Sequence, residues 1–263
     1  MKNQLLKITL IALLSSLAFA DSRLERQCNN GNTESCVDLG NLYYDGNGVK
    51  QDYKKASELY NKACEMGEAE ACGILGYLYS KGDGVRQNYK KASELYSKAC
   101  EMNGAGACNN LGYLYDNGYG VRQNYKKARE FYNKACEMGY AVGCKNLGVL
   151  YYDGKGVKQD YKKASELYNK ACKMGHASGC YNLGYLYDNG LGVRQNYKKA
   201  SELYNKACKM GHASGCYNLG VLYYYNSQDY NKAMEFFGKA CDLGEQKGCD
   251  AYKEMKTKLN SNY

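Results

Sequence analysis

Along residues 144–179, apolar side chains recur at helical spacing twice, with a polar, glycine-rich stretch between the two runs. In the first run Leu147, Leu150 and Tyr151 sit at i, i+3 and i+4. In the second Ala164, Leu167, Tyr168 and Ala171 sit at i, i+3, i+4 and i+7. One-sided spacing of this kind predicts a leading and a trailing amphipathic helix, each with one face to bury. Asp160 stands where the trailing helix needs an N-cap, and Gly175 where it needs a left-handed residue past its C-terminus. Gly154 and Gly156 break the leading helix. Gly148 lies inside that helix at a cost of about 1 kcal/mol relative to alanine, so a close approach of a neighbouring helix is expected there.

The pattern repeats. Cysteines fall at 28, 36, 64, 72, 100, 108, 136, 144, 172, 180, 208, 216, 241 and 249, alternating at gaps of 8 and 28 until a last long gap of 25. They frame six units, 36–71, 72–107, 108–143, 144–179, 180–215 and 216–248, with partial units at 21–35 and 249–263. The mid-helix glycine recurs as Gly40, Gly76, Gly112, Gly148, Gly184 and Gly220. A lone helix pair cannot bury its apolar face, whereas stacked pairs bury a continuous core. Residues 21–263 are therefore expected to form a single all-α solenoid domain. Residues 22–28 read as a short opening helix. Residues 250–259 read as a closing one, with Tyr252, Met255 and Leu259 on one face. The recurring G-x-G follows a helix where a phosphate loop would follow a strand, so it is read as a turn device.

The start of the chain changes the compartment. Lys2 and Lys7 precede and flank an apolar run, Ile8 to Ala18, too short to span a bilayer, and Ala18-Phe19-Ala20 is an A-x-A cleavage site. Residues 1–20 are expected to be a cleaved signal peptide, leaving no membrane segment. Without them the formal charge falls from +9 to +7, because they carry two lysines and no acid. The remaining lysines are spread evenly through the units and not clustered as nucleic-acid binding requires.

In an exported chain, fourteen regularly spaced cysteines imply disulfides. Two pairings fit a helix hairpin. The long-gap scheme, Cys36 with Cys64 and so on, orphans Cys28 and Cys249. The short-gap scheme uses all fourteen and is preferred: Cys28–Cys36, Cys64–Cys72, Cys100–Cys108, Cys136–Cys144, Cys172–Cys180, Cys208–Cys216 and Cys241–Cys249. No C-x2-C spacing favours structural zinc, and neither a metal nor another cofactor is expected.

The motif A/G-C-x-N-L-G-x-L-Y-x-x-G-x-G-V-x-Q-D/N-Y-K-K-A-x-E-L-Y-x-K-A-C resembles the Sel1-like repeat, a relative of the tetratricopeptide repeat, over essentially all of residues 21–263. With its paired cysteines it is similar to the Helicobacter cysteine-rich protein family. The resemblance implies a right-handed α/α superhelix, secreted or periplasmic. It also implies either a protein-interaction scaffold or a penicillin-binding protein with slow β-lactamase activity.

The residues themselves offer no recognised hydrolytic set. S-x-x-K, S-D-N and K-T-G are missing. His176 and His212, one repeat apart, fall short of a three-ligand zinc site and read as exposed turn residues. Catalytic residues are therefore unassigned. On the leading helix, the positions of Asn146, Val149 and Asp153 form a second ridge, about 140° from the apolar one at 100° per residue. Its counterparts are Asn110-Tyr113-Asn117, Asn182-Tyr185-Asn189 and Asn218-Val221-Tyr225. The tetratricopeptide resemblance places this ridge in a concave groove. Asn110, Tyr113, Asn146, Asn182, Tyr185 and Asn218 are then the candidate ligand-binding residues. Carboxamides that both donate and accept, interleaved with tyrosines, suit a peptide, a protein segment or a peptide-like ligand such as a β-lactam or cell-wall peptide. An alternative use of these asparagines is bonding to a neighbouring helix. The helix-surface lysines, as in Lys162-Glu166-Lys170, read as a solvated face. The protein is expected to act as a monomer.

Overall fold

The structure, a computed structural model, describes residues 22–260; the expected signal segment lies outside them. All regular structure among the described residues is helical. A short α1 (22–29) is followed by α2 (Thr33–Asp45), α3 (Tyr53–Glu65), α4 (Ala69–Lys81), α5 (Tyr89–Glu101), α6 (Ala105–Asn117), α7 (Tyr125–Glu137) and α8 (Ala141–Asp153). Then come α9 (Tyr161–Lys173), α10 (Ala177–Asn189), α11 (Tyr197–Lys209), α12 (Ala213–Leu222), α13 (Tyr230–Asp242) and α14 (Gln246–Asn260). The chain divides within α7 into two compact units, Met1–Ala128 and Arg129–Tyr263. In the first, consecutive helices from α2 to α6 pack on one another, and in the second those from α8 to α14 do the same. From α2 to α12 the even-numbered helices lead each repeat and the next odd-numbered helix trails.

Local chemistry fixes both ends of these helices. At the start of α3, α5, α9, α11 and α13, Asp52, Asn88, Asp160, Asn196 and Asp229 accept the N–H three residues on, at 2.9–3.1 Å. Each such cap contributes about 1 kcal/mol. The leading helices α2, α4, α6, α8 and α10 end on Gly46, Gly82, Gly118, Gly154 and Gly190, all left-handed, whose N–H returns to a leucine carbonyl. The loop that follows is stapled by Gln51, Gln87, Gln123, Gln159 and Gln195, whose Nε2 donates to the carbonyl seven residues back at 2.7–2.8 Å. In three repeats the second glycine of the G-x-G marks a seam. A Cβ on Gly84, Gly120 or Gly192 would lie 2.2–2.3 Å from the backbone of Tyr53, Tyr89 or Tyr161, the first residue of the preceding repeat's trailing helix. In the final repeat the loop is three residues shorter. A π-helical turn, Tyr223–Ser227, takes its place, and Gln228 adopts the positive φ that glycine supplies elsewhere.

The mid-helix glycines are notches for an aromatic ring. A Cβ on Gly40, Gly76, Gly148, Gly184 or Gly220 would lie 2.6–2.9 Å from the ring of Tyr60, Tyr96, Tyr168, Tyr204 or Phe237 on the trailing helix of the same repeat. Each ring is at most 5% exposed. Burying it contributes about 1.5–3 kcal/mol, more than the roughly 1 kcal/mol the glycine costs.

At every joint between repeats a disulfide ties the end of one trailing helix to the start of the next leading helix. The seven bridges are Cys28–Cys36, Cys64–Cys72, Cys100–Cys108, Cys136–Cys144, Cys172–Cys180, Cys208–Cys216 and Cys241–Cys249, with Cα–Cα distances of 4.5–4.7 Å. Two of these joints are also spanned by a lysine. Lys98 Nζ donates to the Cys64 carbonyl at 2.8 Å and Lys206 Nζ to that of Cys172 at 3.2 Å. Lys55, Lys91, Lys127, Lys199 and Lys232 lie over the rings of Tyr43, Tyr79, Tyr115, Tyr187 and Tyr223 at 4.7–5.3 Å. These lysines remain solvent-exposed while they span joints or cover rings. In the fourth unit Glu166 pairs with Lys163, at 3.4 Å.

Candidate ligand-binding face

The buried tyrosines bring the ridge asparagines into the structure. Asn110 stands close enough to act on the Tyr96 phenol, Asn182 on that of Tyr168, and Asn218 on those of Tyr181 and Tyr204. In each trailing-helix case the tyrosine belongs to the preceding repeat, so one side chain fills its own repeat's notch and reaches the next repeat's carboxamide. Burial raises the pKa of Tyr96, Tyr168 and Tyr204, which keeps the phenols protonated. Tyr204 also donates to Asp188 at 3.2 Å. At the ends of the array the pair changes. The residue facing Tyr60 in this register is Ile74, and its hydroxyl donates instead to Asn41 at 2.7 Å. In the last repeat the ring is Phe237 and the register position is Ala251, so donor and acceptor vanish together.

The ridge lines clefts in both units. In Met1–Ala128, Asn110 and Tyr113 border one of about 360 Å³ with Tyr77, Ser80, Tyr96 and Tyr119. Tyr113 is 49% exposed and lies 5.9 Å from the Tyr119 ring, which stacks on Tyr89. Asn110 also borders a wider cleft of about 640 Å³ that crosses α2, α4 and the start of α6. In Arg129–Tyr263, Asn182 and Tyr185 border a cleft of about 280 Å³ with Val149, Tyr152, Tyr168 and Tyr181. Asn146 accepts from the half-buried Lys145, whose ammonium burial makes more acidic. Asn218 acts on the phenols of both Tyr181 and Tyr204 and borders none of these clefts.

His176 and His212 are half-buried N-caps of α10 and α12, and the reading of them as exposed turn residues is corrected. Each Nδ1 accepts the N–H three residues on, from Gly179 and Gly215, at 3.2 Å. Burial lowers both pKa values, with the Lys145 charge adding to the effect at His176 and Glu245 opposing it at His212. Tyr181 stacks on the His212 ring at 4.6 Å.

The Sel1 repeat family matches the chain six times in tandem, at residues 33–68, 69–104, 105–140, 141–176, 177–212 and 213–245. That frame begins three residues ahead of the cysteine frame. Among solved structures, a protective antigen of uropathogenic Escherichia coli displaying an SLR fold is 30% identical over 90% of this chain, with a TM-score of 0.77. The chain spans 51% of that antigen's length. A Sel1 repeat protein from Oxalobacter formigenes is 30% identical over 80% of this chain and 85% of its own, with a TM-score of 0.73. Helicobacter pylori cysteine rich protein B is 40% identical over 48% of this chain and 91% of its own, with a TM-score of 0.41. No curated protein is matched.

Proposed function

The chain belongs to the Sel1 repeat family, and from that premise we propose that it is an exported scaffold whose leading-helix face binds an extended peptide or protein segment. It is a disulfide-bearing repeat protein, and Sel1 repeat proteins generally mediate protein–protein interaction. The observation that carries the proposal is the meeting of ridge asparagines and exposed tyrosines in the clefts, Asn110 with Tyr113 and Asn182 with Tyr185. A carboxamide offers both hydrogen-bonding senses to a peptide backbone, and a tyrosine offers rigid contact area with a polar tip. Seven disulfides fit an oxidising compartment, and no described helix is long and apolar enough to cross a membrane. The A-x-A-terminated start of the chain supports export.

The test is the double substitution Tyr113→Ser with Tyr185→Ser. Labelled, oxidised protein is probed on an array of random nine-residue peptides. Binding is expected to fall at least tenfold with helicity unchanged, and undiminished binding would refute the proposal. The β-lactam-hydrolysing alternative is supported by family resemblance alone. It requires turnover of a chromogenic β-lactam that scales with the amount of purified, oxidised chain.

A further inference from the structure

The wide cleft of the first unit differs in kind from its counterpart in the second. Its floor is made of small residues, Ala69, Gly73, Gly104, Gly106 and Ala107, and its walls include Tyr44, Tyr60 and Tyr77. Gly73 holds it open. A Cβ there would meet only the Ala107 methyl, at 3.8 Å. The same repeat position carries Tyr181 in the second unit, where the ring covers His212 and the cleft shrinks to about 280 Å³. A floor of glycine and alanine lets a backbone lie close to the helices.

The cleft is also acidic on a basic chain. Glu68 and Glu70 line it, and Asp45 and Asp83 stand close enough to act on the Tyr44 phenol. None of these four carboxylates is in an ion pair among the described residues, and no lysine, arginine or histidine lines the cleft. Lys81 lies over the Tyr77 ring at 5.7 Å and lines the neighbouring smaller cleft. In the second unit the counterparts of Glu68 and Glu70 are His176 and Ser178, so the charge belongs to this cleft and not to the repeat.

We infer that the cleft across α2, α4 and α6 recognises a lysine or arginine side chain of an extended peptide. Its ammonium or guanidinium sits between the Glu68 and Glu70 carboxylates and the Tyr44 ring, while the peptide backbone lies along the Gly73–Gly104–Gly106 floor. Carboxylates and an aromatic face together select a cation over a neutral group of the same length. This assigns a specificity to the peptide-binding face proposed above and rests on that reading.

The probe is an array of nine-residue peptides, randomised at eight positions and fixed at the centre as lysine, arginine, norleucine or glutamate. Wild-type oxidised protein is expected to prefer the lysine and arginine sets over norleucine at least tenfold at low salt, and less so at 0.5 M salt, because partly exposed charges are screened. Glu68→Gln with Glu70→Gln is expected to erase the preference. Gly73→Tyr, a residue that two other repeats already carry there, is expected to abolish binding of the cationic sets with helicity and all seven disulfides retained. Equal binding of lysine and norleucine sets, or a preference indifferent to both variants, overturns the inference. If peptides still bind in a way that depends on Tyr113 and Tyr185, the general reading survives that failure; if no set binds, both fall.

Discussion

The phenol of Tyr168 stands within the influence of the carboxamide of Asn182, fourteen residues ahead and one repeat on. The same relation joins Tyr96 to Asn110 and Tyr204 to Asn218. It changes the expected outcome of mutating these asparagines, because each is a neighbour of a buried phenol as well as a ridge residue.

Asn182→Ala is expected to remove the carboxamide that acts on the Tyr168 phenol and to cost about 1 kcal/mol, as is Tyr168→Phe. The double substitution recreates the Phe237–Ala251 pair of the last repeat and is expected to cost less than the sum. Guanidinium denaturation of the four proteins measures the coupling. Strict additivity would show that the two groups act independently.

Gly148→Ala raises intrinsic helix propensity by about 1 kcal/mol, yet its Cβ would stand 2.6 Å from the Tyr168 ring. Overpacking of this kind is expected to dominate, with a net loss of about 1–3 kcal/mol. A higher denaturation midpoint in the variant would mean that the ring moves aside freely.

Replacing both Cys172 and Cys180 by alanine opens one local loop and is expected to cost about 2–3 kcal/mol in the chain-entropy model. Because repeats contact only their neighbours, protection from hydrogen exchange should fall at α9 and α10 first. Uniform loss across all helices would argue against a local staple.

The two capping histidines predict a pH dependence. Their folded pKa values lie below the ordinary 6.5, so the unfolded chain binds protons first as pH falls. Their contribution is therefore full above the unfolded pKa and is lost as pH drops through the folded one. A protonated Nδ1 also cannot accept from Gly179 or Gly215. Melting temperature is expected to decline from pH 7.5 towards pH 5, and His176→Asn with His212→Asn should flatten that slope, since asparagine caps without titrating.

The helices were legible because their apolar spacing is regular and their caps are chemically distinct, as at Asp160 and Gly175. The need for a close approach at Gly148 was legible too, since an interior glycine has to be compensated. Its partner was not, because Tyr168 reads equally well as one more apolar residue of the trailing helix. A signal was present in the chain itself. Tyrosine with asparagine fourteen residues on becomes phenylalanine with alanine at the last repeat, a paired change that ridge geometry alone does not explain. The looping glutamines, Gln51 to Gln195, are not legible in the sequence because a polar residue in a polar loop carries no periodicity. The wide cleft depends on what is missing at Gly73, and a pattern of side chains does not reveal where space is left.

The cysteine connectivity has a bearing on biogenesis. Every bridge joins a cysteine to the next one along the chain, from Cys28–Cys36 to Cys241–Cys249. For an exported chain, as proposed, an oxidase that couples thiols in their order of emergence therefore makes each native link directly. Such coupling leaves no crossed pairing for an isomerase to undo, and each joint can be locked before the next joint along the chain has appeared.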